Sequence, residues 1–253
     1  MDILIAMLQH YQHTILIVIA AIILSGNASE AVAVHQLFES YKKVIVLDPG
    51  HGGDDEIGAR GPEGSLEKTV ALNLARILAV ELQRDYKVVL TRTDDSQVSL
   101  ENRTATANNL KADLFISIHT GGSLVHSTSG IIIYHYQTFS ENARGQTADT
   151  SDRVEDTNAP ILWDRVQNRY MDKSRNLAIL INARLSTLDG VKESRVAGAP
   201  LAVLQGANMP AILIEIGYLT NPGEEKNLRD QRFLTDLALA IRQGIDEYFE
   251  QEQ

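Results

Sequence analysis

Residues 44–53 read Val-Ile-Val-Leu-Asp-Pro-Gly-His-Gly-Gly, an apolar strand that ends in a glycine-rich turn around His51. Two later stretches have the same form. Residues 113–119, Asp-Leu-Phe-Ile-Ser-Ile-His, end in a second histidine, and residues 211–217, Ala-Ile-Leu-Ile-Glu-Ile-Gly, carry a glutamate near their end. Continuous apolar runs of this kind are typical of strands that helices cover on both faces. The carboxyl ends of such strands are where an open α/β sheet gathers its functional side chains.

Strands and helices alternate along the chain, which predicts an α/β fold. We expect a single domain over residues 44–253, with a mostly parallel or mixed central sheet of about six strands and helices on both faces. The predicted strands are Val44–Asp48, Lys87–Arg92, Asp113–His119, Gly130–Tyr136, Leu201–Leu204 and Ala211–Ile216. The predicted helices are Leu66–Leu82 with Ser65 as its N-cap, Leu100–Leu110, Asp172–Leu188, a short helix after Asn221-Pro222, and Phe233–Phe249.

The alternation breaks between residues 137 and 171. This stretch is poor in bulky apolar residues and rich in Asp, Asn, Ser and Thr, so we predict an insertion in the domain. Near its end, Ile161-Leu162-Trp163 and Val166 could form a short amphipathic helix. The sequence leaves open whether the insertion is a plain surface loop or a segment that folds over a functional site.

The N-terminus is predicted to direct export. The run from Thr14 to Leu24 consists, after the threonine, of Ile, Leu, Val and Ala, and it is shorter than the roughly 20 residues that span a membrane. Ala31-x-Ala33 would suit a signal-peptide cleavage site, although no Lys or Arg precedes Lys42. We predict that residues 1–33 are a signal peptide or an uncleaved membrane anchor and that residues 34–43 are a linker. The protein is then periplasmic or extracellular.

The composition excludes several classes of protein and of site. The formal net charge of −10, from 33 acidic and 23 basic residues, argues against nucleic acid as a partner, because nucleic acid selects basic surfaces. The chain has no cysteine, which excludes disulfides, thiolate metal ligands and cysteine nucleophiles. A transition-metal site would therefore be built from His, Asp and Glu.

Four side chains near the predicted strand ends have the composition of a mononuclear zinc hydrolase: His51, Glu67, His119 and Glu215. Glu67 begins an apolar helical stripe, where an unpaired charge would be costly. Glu215 lies among isoleucines, and a buried glutamate is rare unless it is paired, bound to a metal or catalytic. Three of the four would hold the metal, and one carboxylate would handle protons.

Taken singly, these residues also have structural interpretations. His51 could belong to a tight turn or a phosphate-binding loop, although no Gly-Lys-Ser/Thr follows it. Glu67 could be a helix N-terminal charge or the partner of a nearby basic residue. His119 could be a core histidine. His126, in the loop after His119, is a reserve ligand, and His135 is expected to be structural.

From Val44 onward the chain resembles the zinc-dependent N-acetylmuramoyl-L-alanine amidases, the family that includes the bacterial cell-division amidases. The shared motifs follow the family's order: Leu-Asp-Pro-Gly-His-Gly-Gly at 47–53, Leu-Glu-Lys at 66–68, Leu-Thr-Arg-Thr-Asp-Asp at 90–95, Asn102-Arg103, Ala107-Asn108, the strand at 113–119, and the stretch from Asn208 to Asn221. One departure follows the second histidine, where Thr120-Gly121 stands in place of the usual Asn-Ala.

The resemblance implies a function and a role for each residue. His51, Glu67 and His119 would bind Zn²⁺, and Glu215 would be the catalytic carboxylate. The substrate would be peptidoglycan, cut at the amide between N-acetylmuramic acid and L-alanine by a zinc-bound water with Glu215 as general base. Larger insertions in cell-division relatives can block the site, so a protein activator that relieves the 137–171 segment is an expected partner. We expect the protein to be a monomer.

Two other functions are open on the sequence. A zinc peptidase that cuts within the stem peptide would use the same metal and would need an arginine to hold a terminal carboxylate. Arg60, Arg92 and Arg195 are candidates that the sequence does not separate. A non-catalytic wall-binding protein would be expected to have lost a ligand or the glutamate, and this chain has kept all four.

Overall fold

A mixed sheet of six strands lies at the centre of the computed structural model, which describes residues 42–138 and 163–252. The strands are β1 (Val44–Pro49), β2 (Lys87–Leu90), β3 (Leu114–Gly121), β4 (Ile131–Tyr136), β5 (Ser194–Ala199) and β6 (Ala211–Tyr218). Their order across the sheet is β2-β1-β3-β6-β4-β5. Neighbours are parallel except for β4 and β6, which are antiparallel. The predicted α/β class and the mixed sheet of about six strands are confirmed.

Helices pack on both faces of the sheet. In the described part of the chain they are α1 (Glu67–Leu82), α2 (Leu100–Asn109), α3 (Met171–Leu185), α4 (Ala202–Gln205), α5 (Pro222–Leu228) and α6 (Gln231–Gln251). Ile45 and Leu47 of β1 share one apolar core with α1, α3 and α6, while Val46 shares the other with α2 and α4. Because successive side chains of a strand point to opposite faces, a strand buried on both sides must be apolar throughout.

Several sequence predictions lie outside the described residues. They are the export segment 1–33, most of the linker 34–43 and residues 139–162 of the predicted insertion. The end of that insertion, Trp163–Arg169, is a 3₁₀ helix. Gln167 in this helix donates from Nε2 to two backbone carbonyls just before β6, at 2.5 and 2.7 Å. Within the described ranges, no helix combines the length and the apolar character that a membrane span requires.

The predicted strand at Leu201–Leu204 is wrong. These residues overlap the short helix α4, and the strand lies upstream at Ser194–Ala199. A four-residue apolar run fits a buried helical turn as well as a strand, and Val203 and Leu204 are indeed buried against the sheet. β5 is an edge strand of mostly small, partly exposed residues, so it has no apolar run that would identify it.

The predicted N-cap at Ser65 is also wrong. Leu66 occupies the N-cap position of α1, and no side chain caps the helix. The carbonyl of Ala59 accepts the hydrogen bond from the amide of Glu67 at 2.9 Å, and the amide of Ser65 donates to the carboxylate of Glu225 in α5 at 3.0 Å. Long-range contacts rather than a local cap therefore fix the start of α1, and with it the position of Glu67.

We expect Gly244→Ala to destabilise the fold. Gly244 lies in α6 where this helix packs on α3, and a Cβ there would lie 2.6 Å from the Cα of Ile181. Because the two backbones would have to move apart, the free energy of unfolding in urea should fall by about 1–3 kcal/mol.

Gln243→Ala, at the exposed neighbouring position of α6, is the control and should change that free energy by less than about 0.5 kcal/mol. Equal stability of Gly244→Ala and the unmodified chain would contradict this close helix packing.

Candidate functional site

Three adjacent parallel strands bring the predicted site residues to one edge of the sheet. β1, β3 and β6 are neighbours, and His119 of β3 is paired with Glu215 of β6. His51 follows the end of β1 by two residues, and Glu67 is the first residue of α1. The positions predicted from the three strand ends and the helix start therefore converge at the carboxyl edge of the sheet, as an open α/β fold leads one to expect.

His51, Glu67 and His119 form a cluster of potential metal ligands. Glu67 Oε1 lies 3.2 Å from His51 Nε2 and 2.9 Å from His119 Nδ1, and the three ligand atoms lie within 4.8 Å of one another. In a tetrahedral zinc site with bonds of about 2.1 Å, the ligand atoms are about 3.4 Å apart. Imidazole nitrogens and carboxylate oxygens are ligands that zinc prefers. This donor set and its spacing fit a zinc ion.

Glu67 is the most buried member of the cluster, with 4% of its surface exposed. Besides the two imidazoles, its Oε1 accepts the amide hydrogen of Thr120 at 3.0 Å and its Oε2 that of Ala59 at 2.7 Å. Burial raises the pKa of Glu67, but the hydrogen bonds to His119 and His51 outweigh that effect and hold the pKa well below its usual value. The carboxylate is therefore ionised and available to a cation.

Two glycines allow the backbone to approach this cluster closely. A Cβ on Gly50 would overlap the ring of His119. A Cβ on Gly58 would overlap the carboxylate of Glu67, and Gly58 also has a φ of +71°, where side chains are disfavoured. Glycine at these two positions therefore lets the turn after β1 and the loop before α1 pass close to the predicted metal ligands.

Two buried arginines hold the turn that carries His51. Arg103 donates from Nη2 to the carbonyl of His51 at 3.0 Å and from Nη1 to that of Pro49 at 2.9 Å. Arg92 donates from Nη2 to the carbonyl of Gly50 at 2.8 Å. His51 itself has a φ of 59°, which is uncommon for a residue other than glycine. The arginines therefore hold in place a turn whose backbone is strained.

Asp48 supplies the buried negative charge that pairs with Arg103. It is fully buried, and its Oδ1 lies 2.8 Å from Nη1 of Arg103. Thr91 and Ser117 donate their hydroxyl hydrogens to its two carboxylate oxygens, at 2.6 and 2.8 Å. The sequence patterns gave Asp48 and Arg103 no chemical role and made Arg92 only a candidate for holding a substrate carboxylate, although an aspartate inside an apolar strand was a signal that a buried partner exists.

Glu215 lies beside the ligand cluster with a free carboxylate. It is half-buried, and within the described residues it makes no hydrogen bond. Burial raises the pKa of Glu215, repulsion from Glu67 raises it further, and the proximity of His119 opposes the shift. A carboxylate with a raised pKa and unoccupied lone pairs is suited to accept a proton and return it.

The other two histidines of the described residues lie apart from this cluster. His126 is exposed in the loop after β3 and is absent from the group of ligand atoms, so nothing supports it as a reserve ligand. His135 is buried in β4, with Nδ1 3.2 Å from the carbonyl of Tyr136. Burial lowers the pKa of His135, which suits a neutral structural side chain.

We expect Gly50→Ala to weaken metal binding without unfolding the protein. The added Cβ would displace the His119 ring, so zinc affinity should fall at least about tenfold, as it does when groups that support a ligand are removed. Zinc titration followed by metal analysis measures this, and circular dichroism checks the fold.

Gly122→Ala is the matched control, because its Cβ would meet only the Cβ of Ala59, at 3.3 Å. It should bind zinc as the unmodified chain does. Undiminished zinc affinity in Gly50→Ala would contradict the close approach of this turn to His119.

We expect Arg103→Met to lower the free energy of unfolding by about 3–5 kcal/mol, because it leaves the buried charge of Asp48 without its partner. The double variant Asp48→Asn/Arg103→Met should recover part of this loss, since neither charge is then left unpaired. Urea denaturation compares the two. A loss below about 1 kcal/mol in the single variant would show that the pair does not hold this region together.

Comparison with known proteins agrees with this geometry. Residues 45–247 match the model of the Amidase_3 family, described as N-acetylmuramoyl-L-alanine amidase. AmiC of Neisseria meningitidis serogroup B, an N-acetylmuramoyl-L-alanine amidase, is 34% identical over 225 residues, which cover 82% of this chain and 53% of that protein. AmiA of Escherichia coli K12, also an N-acetylmuramoyl-L-alanine amidase, is 30% identical over 258 residues, covering 91% and 89%.

A solved structure shows the same fold. The crystal structure of N-acetylmuramoyl-L-alanine amidase from Clostridium difficile 630 has a TM-score of 0.66 and 28% identity, covering 84% of this chain and 99% of that one. The chain nevertheless spans only about half the length of the AmiC relatives it matches. Because the family model covers most of the chain, including all four predicted site residues, the chain belongs to the N-acetylmuramoyl-L-alanine amidase family.

Proposed function

We propose that this chain is a zinc-dependent hydrolase that cleaves the amide between the lactyl group of N-acetylmuramic acid and L-alanine in peptidoglycan. One observation carries the proposal. Three donor atoms suited to zinc, one each from His51, Glu67 and His119, lie within 4.8 Å of one another. The carboxylate of Glu215, which makes no hydrogen bond within the described residues, lies beside them. Membership of the amidase family supplies the substrate class.

The ligand set would be His51 Nε2, Glu67 Oε1 and His119 Nδ1. When bound, zinc would supply a Lewis acid that polarises the amide carbonyl and makes water a stronger nucleophile. Glu67 contributes the one negative charge of the three ligands, and its amide partners keep its carboxylate oriented. The glycines and arginines around His51 hold that imidazole in place.

Glu215 would carry the proton during the reaction. As general base it would accept a proton from the attacking water, and as general acid it would deliver that proton to the alanine nitrogen when the C–N bond breaks. Its raised pKa, caused first by burial and then by Glu67, makes the carboxylate a stronger base than an exposed one. Both of its oxygens are free within the described structure to reach water or substrate.

We also propose where and with what the protein acts. Its substrate class and the predicted export segment 1–33 support action on the wall outside the cytoplasm, either as a released protein or held by an N-terminal anchor. A protein activator that relieves the 137–171 segment and a monomeric state both stay predictions. Most of that segment, residues 139–162, lies outside the described structure.

We expect Glu215→Gln to keep zinc and lose activity. The amide preserves the shape of the side chain but cannot accept the proton, so kcat for release of stem peptide should fall about 10²–10⁴-fold. His119→Ala should lose both zinc and activity, because it removes a ligand. Metal analysis and product release are measured on the same samples.

The control is Glu250→Gln, an exposed glutamate in α6 far from the strand ends that form the site, which should retain both zinc and activity. An unchanged kcat in zinc-loaded Glu215→Gln would contradict the role of Glu215 as proton carrier.

A further inference from the structure

Arg195 lies on the same face of the sheet as Glu215. Ile132 of β4 is in register with Glu215 of β6 on one side and with Arg195 of β5 on the other. Residues in register across a sheet project their side chains to the same face. Because adjacent strands are about 4.8 Å apart, the Cα atoms of Glu215 and Arg195 are separated by about 10 Å.

The guanidinium of Arg195 is exposed and, within the described residues, makes no hydrogen bond or ion pair. Its charge still reaches the site. Burial raises the pKa of Glu215, Tyr134 and Tyr218, and in all three the positive charge of Arg195 opposes the shift. Arg195 is therefore near all three side chains but bound to none of them, which leaves its donors available to a ligand.

The other two arginines considered for substrate binding do not have this position. Arg92 is buried, and its guanidinium donates to four backbone carbonyls, among them those of Pro49 and Gly50. Arg60 lies in the loop before α1, outside the six strands, so the strand register does not place it on the face that carries Glu215. Of the three, the structure selects Arg195.

The surface between Arg195 and the ligand cluster is partly aromatic. Tyr134 and Tyr218 are half-buried there. A Cβ on Gly121 would lie 2.7 Å from the ring of Tyr218 and 3.2 Å from Oε2 of Glu215, so the ring reaches this position only because residue 121 has no side chain. This is the position where the chain departs from the family's usual Asn-Ala.

We propose that Arg195 binds a carboxylate of the stem peptide, that of the residue following L-alanine. This inference rests on the proposed function. During the reaction the alanine nitrogen would lie beside Glu215. Two extended residues span about 7 Å, so the carboxylate of the next residue would come within reach of a guanidinium whose Cα is about 10 Å from that of Glu215. In γ-linked stem peptides the glutamate after alanine keeps a free α-carboxylate, whereas the muramic carboxyl is consumed in the amide.

The charge balance supports the same ligand. A chain with a formal net charge of −10 repels an acidic peptide. A cation near the site that has no ion pair within the described residues offsets that repulsion where the peptide must lie. The planar guanidinium can donate two parallel hydrogen bonds to a carboxylate, which a carboxamide cannot accept in the same way. Arg195 would therefore select stem peptides by the charge of their second residue.

Two muramoyl tripeptides that differ only in an α-carboxylate or an α-carboxamide on the second residue test this proposal. We expect the zinc-loaded 253-residue chain to prefer the carboxylate form by about tenfold in kcat/KM, the range of a hydrogen bond to a charged group. In Arg195→Gln the preference should fall below twofold with zinc content unchanged. Arg195→Lys should retain part of the preference, since lysine keeps the positive charge but lacks the planar guanidinium that donates two parallel hydrogen bonds.

Arg84→Gln removes an exposed arginine that has no ion pair within the described residues and lies beyond the end of α1, so it should keep the full preference. An equal preference in Arg195→Gln and the unmodified chain would overturn the proposal, as would the lack of any preference in the unmodified chain. If neither tripeptide is cleaved, the proposed function fails. The role of Arg195 is then tested by calorimetry, in which the zinc-loaded chain should bind the carboxylate form more tightly than the carboxamide form and Arg195→Gln should lose that difference.

Discussion

The negative charge of Glu67, buried at the head of α1, is the constraint on which the site depends. An ionised carboxylate removed from water must be compensated, and here two imidazoles and two backbone amides converge on it. These partners come from the turn after β1, the end of β3 and the loop before α1. Compensation therefore requires these elements to meet at one sheet edge. The same convergence places two imidazole nitrogens and one carboxylate oxygen where a metal ion could share them.

The inner side of the site is tied to the buried core, whereas two charged groups on its outer side have no partner among the described residues. Behind His51, the ion pair of Asp48 and Arg103 ties the strained turn to the buried core, so the imidazole is held by groups that are themselves buried. In front, Glu215 and Arg195 have no hydrogen-bond partners within the described residues. This division suits a hydrolase, whose ligands must be fixed while its proton carrier and substrate-binding groups stay available.

Much of this arrangement could be predicted from the sequence, because the apolar strands and the polar residues at their ends are local patterns. Those patterns placed His51, His119 and Glu215 at one edge, and the family resemblance supplied the roles. Features set by tertiary contacts could not be predicted in the same way. β5 is short of apolar residues because it lies at the edge, and α1 begins without a local cap because Glu225 and Ala59 hold its start. The register that sets Arg195 on the same face as Glu215, two strands away, exists only in the folded sheet.

Product identification with and without metal tests the central claim most directly. The chain is incubated with purified peptidoglycan, with a chelator, and with a chelator followed by zinc, and the products are identified by mass spectrometry. We expect stem peptides with a free L-alanine amino terminus and glycan without peptide, and we expect the chelator to abolish these products and zinc to restore them. Cleavage within the stem peptide would indicate a peptidase instead. Release of L-alanine-terminated peptides that persists in the chelator would contradict the metal site.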